Sequence, residues 1–207
     1  MEKFILACDF DHTLFVDGSV SPENISAIKR LRAKGGLFGI VSGRTSSSYS
    51  MLYDSVEGNI DFILCCTGAV FYKSAEAVEF ASYSDKTAFS IFEYAKLREV
   101  RFFCADFLGK TLAVSPKDEN ASSQMKEFHC SVCFFSEEAA RQGAQEILDM
   151  YGEMVNPQQN GCMIDIPSCG IDKARGLRLA AEKLGVLPDR IFAAGDNYND
   201  ISMITSF

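Results

Sequence analysis

Asp9 and Asp11 stand one residue apart at the end of an apolar run, Phe4-Ile5-Leu6-Ala7-Cys8, in the stretch FILACDFDHTLF. A run of that length makes a buried strand, and a buried carboxylate is costly unless a counter-charge, a metal or a hydrogen bond meets it. Side chains two apart on an extended segment share a direction, so both acids can face one site while Phe10 turns into the core. Other polar residues fall at the ends of similar runs: Ser42, Thr67, and Asp196 with Asp200. Carboxylates drawn together repel, and a hard divalent cation relieves the repulsion. Oxygen ligands of this kind suit Mg²⁺, which keeps part of its water and leaves room for a phosphate oxygen. Lys173, where a helix should begin, adds a positive charge and the partly positive helix end, both suited to an anion. Acids, cation, hydroxyl and lysine together describe phosphoryl transfer.

These residues need a frame that brings strand ends together. Residues 3–9 read as strand. Ser21-Pro22 opens a helix with an N-cap followed by proline at the first helical position, Ile25, Ile28 and Leu31 give it one apolar face, and Gly35-Gly36 ends it. Leu37–Val41 is a second strand, a helix covers about 46–56, and Phe62–Cys66 is a third strand. Apolar rather than alternating strands in a β-α-β-α-β order predict a parallel sheet covered on both faces, with ligands bound outside the carboxyl ends of its strands.

The rhythm changes near residue 75. A helix (Ser84 to Leu97), strands at 100–107 and 110–115 joined by a tight Leu108-Gly109 turn, a polar segment at 116–127, a strand at 130–135, a helix from Ser136 to Tyr151 and a strand near 162–166 predict an antiparallel α+β unit. The first rhythm then resumes, with Asp172 capping a helix from Lys173, Gly185 closing it, and a strand over 190–194. The expected division is therefore 1–74 with 167–207 as one domain and 75–166 as an insert.

The bulk properties narrow the function. The chain has 207 residues, 47% hydrophobic and 23% charged, which is ordinary globular composition. A net charge of −8 without a Lys/Arg cluster argues against a nucleic-acid backbone as partner, and against anionic membranes. Apolar runs are strand-sized, far below the roughly 20 residues of a membrane helix, and the N-terminus is too short and acidic for a signal peptide, so a cytoplasmic protein is expected. The eight cysteines then read as small buried hydrophobes. Cys130-Ser-Val-Cys133 has CxxC spacing but no second pair, and strand geometry would send its sulfurs to opposite faces.

The same residues resemble a known family. DFDHT (9–13) is similar to the DxDxT first motif of the haloacid dehalogenase (HAD) superfamily, and IVSGR to its second. Lys173 in GIDKARGLRLAAEKLGV resembles the third, and AAGDNYNDISMI the GDxxND fourth motif of the Cof-like phosphatase branch. The motifs come in the family's order, with the insert between the second and third, where that branch carries an α/β cap. The resemblance implies an α/β fold: a HAD-like doubly wound parallel sheet core with an inserted α+β cap.

It also implies roles. Asp9 would be the nucleophile that forms an aspartyl-phosphate, and Asp11 the general acid and then base. Mg²⁺ would be held by Asp9, Asp11 through its backbone carbonyl, and Asp196, with Asp200 helping through water. Ser42, the Gly43 amide and Lys173 would bind phosphoryl oxygens. Thr13 would brace the loop after the nucleophile, and Asn197 and Asn199 would orient the metal ligands. The implied activity is Mg²⁺-dependent hydrolysis of a small phosphorylated metabolite, sugar phosphates above others; a phosphomutase and a weakly catalytic phosphate sensor are the alternatives.

Two departures carry expectations of their own. Relatives have Asn-Gly-Ala after the third strand where this chain has Thr67-Gly68-Ala69, which blurs the hinge into the cap. Relatives also continue past the fourth motif, whereas this chain ends at Thr205-Ser206-Phe207, so a core lacking its C-terminal part, an exposed sheet edge and self-association are expected. Arg44 receives no role. His12 reads equally as a loop residue and as a proton carrier, and His129 as structural.

Overall fold

A computed structural model describes residues 3–107, 110–115 and 129–207. The Leu108-Gly109 turn and the polar segment at 116–127 lie outside the described residues.

The chain begins with β1 (Ile5–Cys8), a short hairpin of β2 (Phe15–Val16) and β3 (Ser19–Val20), and α1 (Pro22–Ala33). Ser21 caps α1 by accepting from the Asn24 amide, as the Ser-Pro order requires. Then come β4 (Leu37–Val41), α2 (Tyr49–Ser55), β5 (Phe62–Cys65), β6 (Val70–Lys73) and β7 (Glu76–Glu79). Next are α3 (Asp85–Lys96), β8 (Val100–Phe107), β9 (Lys110–Val114), β10 (His129–Phe134), α4 (Glu137–Tyr151), β11 (Gln158–Asn160) and β12 (Met163–Ile166). The chain closes with α5 (Lys173–Leu184), β13 (Ile191–Ala194) and α6 (Ile201–Ser206). No helix among the described residues is long and apolar enough to cross a membrane.

Two larger sheets result. The first has the order β13-β1-β4-β5-β6-β7, with β13, β1, β4 and β5 parallel and β6 and β7 antiparallel. Its two faces bury separate apolar clusters, one around Phe10, Ile28, Phe38 and Leu52, the other around Phe62, Leu64, Leu177 and Met203. This is the doubly wound α/β core, and it explains why its strands lack alternation. The second sheet, β11-β12-β10-β8-β9, is antiparallel and has its own core around Phe92, Phe103, Val132 and Ile164 beneath α3 and α4.

The change of rhythm near residue 75 does not coincide with the change of sheet. Glu76–Glu79 folds back on β6 and extends the first sheet, and the chain crosses to the second only after it. The sequence hides this strand because its residues are all exposed, and charged residues at a sheet edge carry no apolar alternation. Ser74 and Ala75 turn the hairpin with positive φ (50° and 67°) in place of the expected glycine. His129 on β10 meets Glu79 on β7 at 3.2 Å, and the Tyr83 hydroxyl donates to the Ile166 carbonyl, so both crossings are pinned. At the opposite edge, β13 pairs only with β1 among the described residues, and its Phe192 is 57% exposed.

Candidate active site

Backbone bonds at the strand ends assemble the site. The Asp9 amide donates to Ala194 at 2.8 Å, which sets the end of β1 beside the loop that carries Asp196. The Ser42 amide donates to Leu64, and the Thr67 amide returns to Ser42. Phe10 is fully buried and stacks on Phe15 at 4.9 Å, so the loop is anchored between its two acids. Lys173 arrives at the first turn of α5, capped by Asp172. That helix approaches closely because residue 176 is glycine: a Cβ there would lie 2.4 Å from the Gly68 carbonyl oxygen. Thr67 holds φ 56°, ψ 37°, a conformation that a β-branched residue adopts with strain and that asparagine tolerates better.

Asp9, Asp196 and Asp200 each offer a carboxylate oxygen, all within 4.8 Å of one another. Asp9 and Asp200 are buried and Asp196 is exposed. Lys173, 1% exposed, sits between the buried pair, its Nζ 2.5 Å from Asp9 Oδ1 and 2.5 Å from Asp200 Oδ1. Burial pushes Asp9 up to about 6, against the pull of Lys173. Burial opposes the charge on Lys173, but Asp9 and Asp200 outweigh it and raise its pKa. One lysine for two buried acids and a third nearby leaves surplus negative charge, and a hard oxygen-binding cation fits that donor set. Asp200 is partly committed, since its Oδ2 accepts from the amides of Asp196 and Asn197.

The remaining sequence-predicted residues converge on the same place. Asp9, Asp11, Ser42, Gly43, Asn197 and Asn199 all line one cavity of about 300 Å³. Ser42 is buried, and its Oγ accepts from the Arg44 amide at 3.1 Å. Thr13 donates from its hydroxyl to Asp196 Oδ1, tying the loop after β1 to the loop after β13. His12 lines the cavity with φ 63°. Asn197 and Asn199, expected to orient the metal ligands, reach the second sheet, Asn197 donating to Asn160 at 2.9 Å and Asn199 to Asp165 at 3.4 Å.

Two residues were not assigned from sequence. Arg44 grips Asp11 with two parallel bonds, Nε–Oδ2 at 2.8 Å and Nη2–Oδ1 at 2.7 Å, and lies over the Phe10 ring. Its position two residues after Ser42 was the signal, but nothing in the spacing showed its partner. Asp165 on β12 is 6% exposed and packs against Gly43, where an added Cβ would come 2.4 Å from its Oδ2. An acid inside the run Met163-Ile164-Asp165-Ile166 poses the same question as Asp9, and it was legible on the same grounds.

Burial pushes the Asp165 carboxyl from 3.8 up to about 6. Between those values the folded protein binds more protons than the unfolded chain, so this group's contribution to stability falls as pH rises through the window and stays unfavourable above it. Asp165→Asn is therefore expected to stabilise the fold at pH 7.5 by roughly 2 kcal/mol, with the gain fading below about pH 4. Urea denaturation at the two pH values checks this; no gain at pH 7.5 would contradict it.

Buried cysteines fit the apolar reading. The Cys8 and Cys130 thiols are each pushed up to about 12, chiefly by burial, and no disulfide joins the cysteines.

A sequence profile for haloacid dehalogenase-like hydrolases matches residues 6–207. The chain is 25% identical over 202 residues to 5-amino-6-(5-phospho-D-ribitylamino)uracil phosphatase YcsE of Bacillus subtilis (strain 168), covering 97% of this chain and 79% of that protein. It is 49% identical over 41 residues to a phosphoglycolate phosphatase of Methanospirillum hungatei, 20% of this chain and 18% of that one. Among solved structures, a haloacid dehalogenase-like hydrolase from B. subtilis superposes with TM-score 0.82 at 16% identity, covering 98% of this chain and 86% of that one. A HAD subclass IIB sugar phosphatase superposes with TM-score 0.80 at 19% identity, covering 97% and 83%.

Proposed function

Because the chain belongs to the haloacid dehalogenase-like hydrolases, we propose that it is a phosphatase, as its relatives are named, and that it hydrolyses a small phosphate monoester through an aspartyl-phosphate on Asp9. The observation that carries this reading is the placement of Lys173 between Asp9 and Asp200, directly behind the cavity that Asp9 lines together with Asp11, Ser42 and Gly43. The ribityl phosphate and sugar phosphates named for relatives support a sugar or polyol phosphate as substrate.

In this reading an Asp9 oxygen attacks phosphorus while the bond to the leaving oxygen breaks, and Asp11 donates a proton to that oxygen. Water then attacks the phosphoryl-aspartate, with Asp11 accepting its proton, and phosphate leaves. Ser42 Oγ, the Gly43 amide and Lys173 hold the phosphoryl oxygens and stabilise the charge that grows on them. Mg²⁺, held by Asp9, the Asp11 carbonyl and Asp196, with Asp200 behind a water, would offset phosphoryl charge and favour ionised Asp9. The second sheet, β8 to β12, serves as a cap over the core, shielding the site from bulk water.

Arg44 gains a task as well. Its fork fixes where the Asp11 carboxylate stands beside the cavity, which positions it for the leaving oxygen. Arg44→Ala is expected to slow hydrolysis of an alkyl phosphate by roughly tenfold or more, and of an aryl phosphate by much less, because the aryl leaving oxygen needs little protonation. Equal losses on both esters would remove Arg44 from this role. The direct test of the function is phosphate release from a panel of sugar phosphates, with Mg²⁺ and with excess EDTA. Metal-dependent release supports the reading, and its absence from folded protein defeats it.

A further inference from the structure

The cavity has two unlike walls. Asp9, Asp11, Ser42, Gly43 and Arg44 come from the first sheet and fix where the phosphoryl group sits under the proposed function, on which this inference rests. The leaving group must then face the other wall, contributed by Cys104, Ser131, Asn160, Met163 and Asp165. Cys104, Ser131 and Asp165 are direct cross-strand partners on β8, β10 and β12, so they form one row, and Met163, two residues before Asp165, shares its face.

The chemistry of this wall is one-sided. Among its described residues Asp165 is the one charged side chain, while Arg44, in the loop after β4, and Lys173, at the start of α5, are held by Asp11 and Asp9. An ionised carboxylate accepts about four hydrogen bonds and donates none. Asp165 has two amide donors, Asn160 and Asn199, both to its Oδ2 at 3.4 Å. Asn160 is itself engaged, accepting from Asn197 at 2.9 Å. What the wall offers a ligand is therefore acceptor capacity from a fixed negative charge. Gly43 lets that charge close onto the loop beneath it, since any side chain there would strike the carboxylate.

We propose that Asp165 is a specificity-determining residue, accepting hydrogen bonds from the hydroxyls of a neutral polyol or sugar leaving group and excluding phosphate esters whose leaving group carries a second anion. A hydroxyl supplies the donor that the carboxylate lacks. A carboxylate or second phosphate in the same place brings like charges together in a closed site, which is discrimination by repulsion as well as by attraction.

The test uses a matched pair of ligands, ribitol 5-phosphate and ribonate 5-phosphate, which differ by a terminal hydroxymethyl against a carboxylate. Their binding is measured by calorimetry with Mg²⁺ on Asp9→Asn, which cannot turn them over, and on Asp9→Asn/Asp165→Asn. The ribitol ester is expected to bind at least about tenfold tighter when Asp165 is present, and the ratio to fall to within roughly threefold when it is replaced. Ser131→Lys in the Asp9→Asn background, which puts a cation in the same row, should narrow or invert the ratio and stands in if Asp165→Asn does not fold. Equal binding of the two esters with Asp165 in place, or a ratio unmoved by these substitutions, overturns the proposal. Phosphate release from the ribitol ester and the sugar-phosphate panel by wild type is followed in parallel: its absence from all of them would defeat the phosphatase reading, while the binding ratio would still decide the role of Asp165.

Discussion

Replacing Asp9 with Asn is expected to abolish phosphate release, lowering turnover by roughly four or more orders of magnitude, while leaving the fold as stable as before or more so. The two halves of this result have separate physical causes. Turnover is lost because an amide oxygen is a poor nucleophile. Stability is kept because the cluster carries more buried acid than base: removing Asp9 leaves Lys173 paired with Asp200 at 2.5 Å. The carboxyl removed is one that burial had already pushed up to about 6, so it was a cost to the fold at neutral pH. Phosphate release and urea denaturation on the same preparation read both halves. Loss of activity together with loss of structure would mean that Asp9 is chiefly a partner for Lys173.

Lys173→Met should behave in the opposite way. It keeps the bulk of the side chain but leaves Asp9 and Asp200 as neighbouring buried acids with no cation between them. Breaking a buried ion pair from one side costs about 3–5 kcal/mol, so the metal-free protein is expected to be strongly destabilised. A divalent cation that binds the folded cluster should restore part of this loss by mass action, making the variant's unfolding midpoint far more Mg²⁺-dependent than that of wild type. Turnover should fall by roughly a hundredfold or more even in saturating Mg²⁺, because a charge that stabilises the phosphoryl oxygens is gone. Denaturation with Mg²⁺ and with EDTA separates these effects. Equal midpoints for the variant in the two conditions would argue against a cation site at this cluster.

Asp9, Asp196 and Lys173 were legible because each follows or begins an apolar element, and the parallel sheet then had to bring those ends together. The capped starts of α1 and α5 were legible because capping is local, with Ser21 and Asp172 bonding amides three residues on. What spacing could not give was any contact set by tertiary approach. Arg44 and Asp11 are 33 residues apart and meet only because β1 and β4 are adjacent. Asn197 and Asn199 read as groups that orient the metal ligands, yet their amides reach Asn160 and Asp165, which no local pattern reports. The β6–β7 hairpin escaped notice because its second strand is exposed and charged and its turn uses Ser74 and Ala75 rather than glycine. Asp165 is a different case: an acid within an apolar strand was visible, but it took the second sheet's register to show that it faces the same cavity as Asp9.

The most direct measurement is to look for the phosphoryl group on the protein. Asp11→Asn should slow release of phosphate from the aspartyl-phosphate, because the base that activates water is lost. The variant would be mixed with an aryl phosphate and Mg²⁺, quenched in acid, digested and examined by mass spectrometry. The expected result is a phosphoryl increment on the peptide that spans residues 4–15, placed on Asp9 and absent from the Asp9→Asn/Asp11→Asn protein. Phosphate release with Asp9 unmodified throughout, or a phosphoryl group on another residue, would contradict the mechanism at its centre.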